Sequence, residues 1–193
     1  EPIFEPLFHD CSFGFRPGRS CHHAIKQVLA FHEAGERVTL DADIAGFFDN
    51  IPHKLIVDAV YEEVADGNIL NIVKKFLAAG VMEYGVFKPT NIGTPQGGVI
   101  SPLLANIVLN KLDWRLEEAG YRFVRYADDF VVPCKDRKQA QAALVLVEEV
   151  MAELGLSLSP EKTKIASYGK GYEFLGFRLS SKSRTMRPKS LEK

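Results

Sequence analysis

The sequence predicts an α+β fold, an antiparallel β-sheet backed on one face by helices. Two observations lead there. Short runs that alternate apolar and polar residues are separated by longer stretches with a helical period. The run 121–134, "YRFVRYADDFVVPC", also reads as two strands that reverse directly on one another. Strands paired in sequence, with helices between other pairs, belong to antiparallel sheets with helices on a face.

The elements follow in chain order. "SCHHAIKQVLAFHEAG" reads as a helix with Ser20 as N-cap, an apolar set of Ala24, Ile25, Val28 and Leu29, and Gly35 at its end. "RVTLDADI" reads as a strand with Val38 and Leu40 on one period and Thr39, Asp41 and Asp43 on the other. "NIPHKLIVDAVYEEVA" is a helix with Pro52 in its first turn and Leu55, Ile56, Ala59 and Val60 turned inward. A short helix spans 69–79, and the Gly/Pro-rich loop "KPTNIGTPQGGVISP" follows. Ser101 and Pro102 open a long helix that Gly120 ends. The clearest helix is "DRKQAQAALVLVEEVMAELG", capped by Asp136 and Gly155, with one continuous face from Ala140 to Leu154. Short strands are expected at 163–167 and 172–179.

At 193 residues, 46% hydrophobic and 25% charged, the chain has the size and composition of a globular domain with its own core. It has no apolar run long enough to cross a bilayer, and its start lacks the pattern of a signal peptide. Cys11, Cys21 and Cys134 are an odd number without metal-site spacing, which fits a reduced, intracellular (cytoplasmic) protein. The net charge of −1 hides an uneven distribution: nine Lys or Arg against three acids from 157 to 193. A basic end of this kind suits a phosphate backbone, and composition alone suits a solvated basic tail equally well.

Asp128 and Asp129 are the informative pair. Two acids with apolar flanks are costly to bury, and adjacent strand residues point to opposite faces. Both can serve one site only where the chain turns, so they are placed at a hairpin tip. Alone, such a pair means a solvated turn. Asp43, at the end of its own strand, changes that reading if the strand lies beside the hairpin. Three carboxylates without a cation would repel one another. Oxygen-only ligands suit a hard cation, Mg²⁺ above all, and two such ions can clamp the attacking and leaving oxygens of a phosphoryl transfer.

Asp43 followed by paired aromatics, together with the hairpin "YADD", resembles the palm of reverse transcriptases. "GTPQGGVISPLLANIVLNKLD" (93–113) resembles the signature of group II intron-encoded reverse transcriptases, or maturases. "FGFRPGRSCHHAI", "DADIAGFFDNIPH", "LSLSPEKTKI" and "YEFLGF" match further blocks in the same order. The resemblance implies a palm-type α+β fold with partial fingers. It divides the chain into a partial fingers segment at 1–36, a palm at 37–180 with a finger insertion around 67–98, and the start of a linker to a thumb or maturase domain at 181–193.

The same resemblance implies roles. Asp43, Asp128 and Asp129 would hold two Mg²⁺ ions, with Mn²⁺ as a possible substitute, for attack of a primer 3′-hydroxyl on a dNTP. Phe47 or Phe48 would pack under the sugar beside Ile44, and Gln96 and Gly97 would line the nucleotide pocket, with Gly98 also allowing close backbone approach. Lys162 or Lys164 would sit near the leaving pyrophosphate. Arg16 and Arg19 would contact template or nucleotide phosphate, and Phe174, Leu175 and Gly176 would grip the primer. Asp41 matches no ligand position. The implied partners are an RNA template, a DNA or RNA primer, dNTP and, in a full-length protein, intron RNA; no membrane is implied. Finger segments upstream of "FGFRPGRS" and a basic thumb are expected to lie outside the chain, leaving it weak or inactive as a polymerase by itself. Two alternatives are a non-catalytic maturase-type RNA-binding module and a reverse transcriptase associated with CRISPR adaptation. RNA synthesis is disfavoured by the Phe47–Phe48 pair and the "PQGG" loop.

Overall fold

The computed structural model describes residues 2–78, 81–83, 86–88, 92–94, 100–182 and 184–186. Its centre is a four-stranded antiparallel sheet in the order β4-β5-β1-β6, built from β1 (Val38–Asp43), β4 (Val124–Tyr126), β5 (Asp129–Cys134) and β6 (Lys164–Ser167). A separate hairpin of β2 (Val81–Glu83) and β3 (Val86–Lys88) lies between the helix expected at 69–79 and the loop expected from Lys88, in a stretch for which the sequence suggested no element. The helices are α1 (Cys21–Glu33), a four-residue α2 (Phe47–Asn50), α3 (His53–Glu63), α4 (Gly67–Ala78), α5 (Ser101–Glu118) and α6 (Arg137–Glu153). Their caps follow the sequence: the Ser20 hydroxyl accepts from His23 N–H, and the Asp136 carboxylate from Gln139 N–H.

The larger core lies on one face of the sheet. Leu40 and Ala42 of β1 and Phe130 and Val132 of β5 pack there against α5 and α6, with Ile56 and Val60 of α3 beyond. Each fully buried aliphatic of this size contributes about 1.5–3 kcal/mol. Helix α5 is enclosed on most sides, and its buried set includes two polar residues seven apart, Asn106 and Asp113. That spacing puts both on one face.

The opposite face is covered too, which corrects the expectation of helices on one side alone. Ala24, Ile25 and Val28 of α1 pack against Val124 and Val131, together with Tyr168, Tyr172, Phe174 and Leu179. The physical reason is in β5: the run Phe130–Cys134 is buried at every position, and a strand apolar on both sides must be covered on both. The expected single strand at 172–179 is instead a hairpin of β7 (Tyr172–Phe174) and β8 (Phe177–Leu179), extended by β9 (Arg184–Met186). Residues 11–13 run along the outer edge of β4, with Arg125 N–H donating to Cys11 O (2.9 Å) and Phe13 N–H to Arg125 O (2.8 Å). They cover the edge that β4 would otherwise expose.

Candidate functional site

Strand β1 sends Leu40, Ala42 and Ile44 into the larger core, so Asp41 and Asp43 face the other way. In the register, Asp43 lies opposite Asp129 of β5, and Asp129 opposite Tyr126 of β4. Tyr126, Asp129 and Asp43 therefore form one row across three strands on one face. Like charges directly opposite on neighbouring strands are unfavourable unless neutralised. Lys162 supplies part of that neutralisation, its Nζ lying 3.2 and 3.4 Å from the two Asp43 oxygens. Lys164 does the same for Asp41 at 3.2 Å, directly across the β1–β6 ladder.

The chain turns between β4 and β5 through Ala127 and Asp128. Only Ala127 has a positive φ, 59°, the arrangement of a type II′ turn whose first position favours glycine. Burial pushes the Asp128 carboxyl above the usual carboxylate range; the Asp43 charge pushes the same way, while its own backbone N–H, Arg125 and Lys162 oppose it. Burial raises Asp41 as well, against the pull of Lys164.

Asp41, Asp43 and Asp129 border an open cleft of ≈ 730 Å³, lined also by Glu161 and Glu173, by Lys162 and Lys164, and by Phe174, Leu175 and Gly176; Asp128 is not among its lining residues. The Leu175–Gly176 turn joining β7 and β8 has both residues at positive φ, 49° and 83°, a type I′ hairpin turn. Its strands are moored to α1 by His32, which donates from Nδ1 to Glu36 O and accepts at Nε2 from the Tyr172 hydroxyl, both at 2.8 Å. The His32 ring stacks on Tyr168 at 3.8 Å.

Beneath the aspartate turn is a buried network that the sequence reading did not identify. Arg125 and Asp113 are both fully buried and paired in a two-pronged contact, Nε to Oδ1 at 2.8 Å and Nη2 to Oδ2 at 2.6 Å. Arg125 Nη1 also donates to Ala127 O and to Asn106 Oδ1, both at 2.8 Å. Asn106 in turn donates to Gly14 O at 2.8 Å. Gly14 abuts the turn so closely that a Cβ there would lie 2.3 Å from Ala127 N. The available signals were an arginine inside an apolar strand and the seven-residue spacing of Asn106 and Asp113.

Several expected site residues lie elsewhere or are otherwise engaged. Arg16 is 7% exposed. Its donors go to the Glu5 carboxylate and carbonyl and to His9 O and Ser12 O. A guanidinium has five N–H groups; four of them donate in this set, and Nη2 also lies 2.9 Å from the Glu5 carboxylate, so the expected phosphate contact gives way to a structural role. Arg19 is paired with Asp10 and lies over the Phe13 ring at 5.4 Å. The Ile44 side chain sits in the larger core, as does Phe47, while Phe48 is half-buried. Ile44 thus has only its backbone to offer a nucleotide. Phe174 is buried in the second core and reaches the cleft wall together with Leu175 and Gly176. Gln96 and Gly97 lie outside the described residues. The segment leading to them is pinned: Thr94 N–H donates to Phe48 O (2.7 Å), Gly93 N–H to Ile51 O (2.8 Å), and His53 Nε2 to Gly93 O (2.6 Å). Gly93, at φ 82°, leaves no room for a Cβ beside Asp49 O.

The chemistry of the donors fits a hard cation. Asp43, Asp129 and Asp128 offer only oxygen, and Asp43 already carries a cationic partner in Lys162. Among the described residues no three His, Cys, Asp or Glu side chains come together as a group that could hold a metal ion; Asp43 is held by Lys162. No helix of the described residues is long and apolar enough to cross a membrane.

An antiparallel sheet between helices, with three aspartates at the meeting of β1 and the β4–β5 turn, is the architecture of a polymerase palm. The profile of the reverse transcriptase (RNA-dependent DNA polymerase) family matches residues 1–179, and the chain belongs to that family. Members of the family generally depend on divalent metal ions. Among its relatives are the protein YkfC of Escherichia coli (strain K12), 36% identical over 94% of this chain and 58% of that protein, and the group II intron-encoded protein LtrA of Lactococcus lactis subsp. cremoris, 41% identical over 69% of this chain and 22% of that protein. The chain thus spans less than two thirds of either relative. A solved structure of Candida albicans telomerase with a fragment of telomeric RNA has the same fold, with a TM-score of 0.75 at 12% identity, covering 97% of this chain and 38% of that one.

Proposed function

We propose that this chain is the palm-centred core of an RNA-directed DNA polymerase of the group II intron type. The observation that carries the reading is the facing of Asp43 and Asp129 across β1 and β5, with Asp128 in the adjoining turn, at an open cleft. The reaction joins a primer 3′-oxygen to the α-phosphorus of a dNTP and releases pyrophosphate. Two Mg²⁺ ions held by Asp43, Asp128 and Asp129, or Mn²⁺ in their place, would stabilise the charge on the attacking and leaving oxygens. The chain's own part is positioning, which supplies much of the acceleration in such reactions. The Leu175–Gly176 turn bears on the primer end. Phe48, half-buried where Phe47 is core, faces the sugar and disfavours a ribose 2′-hydroxyl. Gln96 and Gly97 line the nucleotide pocket. Lys162, freed from Asp43, meets the phosphates of the incoming nucleotide or the departing pyrophosphate. The template is RNA, and the primer DNA or RNA.

The non-catalytic RNA-binding alternative fits the cleft less well. Its lining carries five carboxylates against two lysines, a surface that repels phosphate unless cations are supplied. The test is RNA-templated extension of a DNA primer by the protein as its gene encodes it, with dNTPs or rNTPs. Asp128→Asn should lower the rate roughly a thousandfold, as expected for losing several kcal/mol of transition-state stabilisation. Extension at near the wild-type rate by that variant would sink the assignment.

A further inference from the structure

Phe15 has no part in the interactions described so far. Its ring is 59% exposed although both neighbours, Gly14 and Arg16, are buried. Its φ is +55°, a conformation that residues with a Cβ disfavour. The cause is on either side of it. Gly14 is wedged against the aspartate turn and held through its carbonyl by Asn106. Arg16 is anchored by the carbonyls of His9 and Ser12. Between two fixed residues, Phe15 is turned outward.

The ring does not face empty surface. It lies 6.3 Å from the Tyr126 ring, at 44° between planes. Tyr126 is the first member of the row that continues through Asp129 to Asp43. With strands about 4.8 Å apart, Tyr126 stands roughly one strand spacing from Asp129 and two from Asp43, and Phe15 lies beside Tyr126. Among the described residues three non-glycines have left-handed φ: Phe15, Ala127 and Leu175. Ala127 is in the aspartate turn, Leu175 lines the cleft, and Phe15 adjoins Tyr126. Backbone strain concentrated around one site is a mark of function.

We propose that Phe15 is a nucleobase-stacking residue, forming with Tyr126 an aromatic shelf at the edge of the carboxylate row for a base of the bound primer–template. The ligand class follows from place and chemistry. Phosphates drawn to cations at Asp43 and Asp129 bring bases within reach of the ring, and stacking on an aromatic face tolerates any base, as a template reader requires. The inference rests on the polymerase reading given above.

The test measures binding of a fluorescein-labelled DNA primer–RNA template with a single-stranded template overhang, at one fixed salt concentration, beside thermal melts. The protein as its gene encodes it is compared with Phe15→Ala, Phe15→Trp and Phe15→Gly. Phe15→Ala should weaken binding about 5- to 150-fold, the range for losing one base–aromatic stack, and Phe15→Trp should stay within about threefold of wild type. Phe15→Gly relieves the left-handed backbone, so it should melt at a higher temperature than wild type yet bind as weakly as Phe15→Ala. Wild-type affinity in Phe15→Ala would overturn the stacking role and leave the polymerase reading standing. Wild-type affinity in Phe15→Gly would also overturn it, because affinity would then follow the backbone and not the ring. Failure of the wild-type protein to bind the duplex would overturn both.

Discussion

The two sides of the aspartate hairpin are built on opposite principles. Below it, Arg125, Asp113, Asn106 and Gly14 form a dry network with direct contacts, the charged pair wholly buried. Above it, Asp43, Asp41, Lys162 and Lys164 meet at longer distances, with the Asp43 side chain 40% and the Lys162 side chain 69% exposed. The lower side fixes the turn's carbonyl and backbone; the upper side leaves its charge to exposed lysines. The proposed polymerase function calls for both: a rigid seat for the carboxylates and a changeable environment for their charge.

That contrast predicts a ranking of stability effects. The largest belong to the lower side. Asp113→Ala leaves the Arg125 guanidinium buried without its carboxylate, and should cost about 3–5 kcal/mol in denaturant unfolding. A loss below about 1 kcal/mol would mean that water reaches the pair and that the seat is not dry. Gly14→Ala should come next, at about 1–3 kcal/mol. Its Cβ would meet backbone, Ala127 N at 2.3 Å and Tyr126 C at 2.8 Å, which cannot rotate away as a side chain can. If Gly14→Ala keeps wild-type stability but loses primer extension, the turn has yielded in place of the fold, and the seat is softer than its hydrogen bonds imply.

The two sides also differed in how far the sequence disclosed them. The upper side was legible because chemistry leaves a local mark: Asp41 and Asp43 share a strand period, and Asp128 and Asp129 stand together between apolar runs. Helices and strands with clean periods and caps were legible for the same reason. The lower side depends on contacts between residues 12 to 92 positions apart, and no local pattern encodes a partner at that distance. Arg125 could be read as out of place in its strand, but nothing nearby named Asp113. Arg16 misled in the converse way. A Pro/Gly loop suggested exposure, whereas the carbonyls that bury it come from a turn at the chain's start. The hairpin at 172–179 was missed because Gly176 lay inside a run otherwise suited to one strand.

The aspartate turn between the two sides should respond to pH. Burial holds the folded-state pKa of Asp128 above its ordinary value of 3.8. A raised carboxyl favours the fold while protonated and loses that contribution as pH rises through its folded-state pKa. In chelated, metal-free buffer, Asp128→Asn should therefore be more stable than wild type at pH 7, with the gain fading as pH falls toward 3.8. Unfolding curves across that range would decide it, and a gain that persists at low pH would assign the effect to something other than charge.

The smallest effect sharpens the comparison most. Lys162→Met removes the cationic partner of Asp43, and an exposed pair of this kind contributes about 0–1 kcal/mol, less as salt is added. If the lysine stands where a cation would, the same change should tighten Mn²⁺ binding at the cleft, because the metal no longer competes with an ammonium for the Asp43 oxygens. Calorimetric titration with Mn²⁺ would read this directly. Weaker Mn²⁺ binding in Lys162→Met would reverse the picture, making Lys162 a support for the carboxylate geometry, and the upper side would then share the fixed character of the lower.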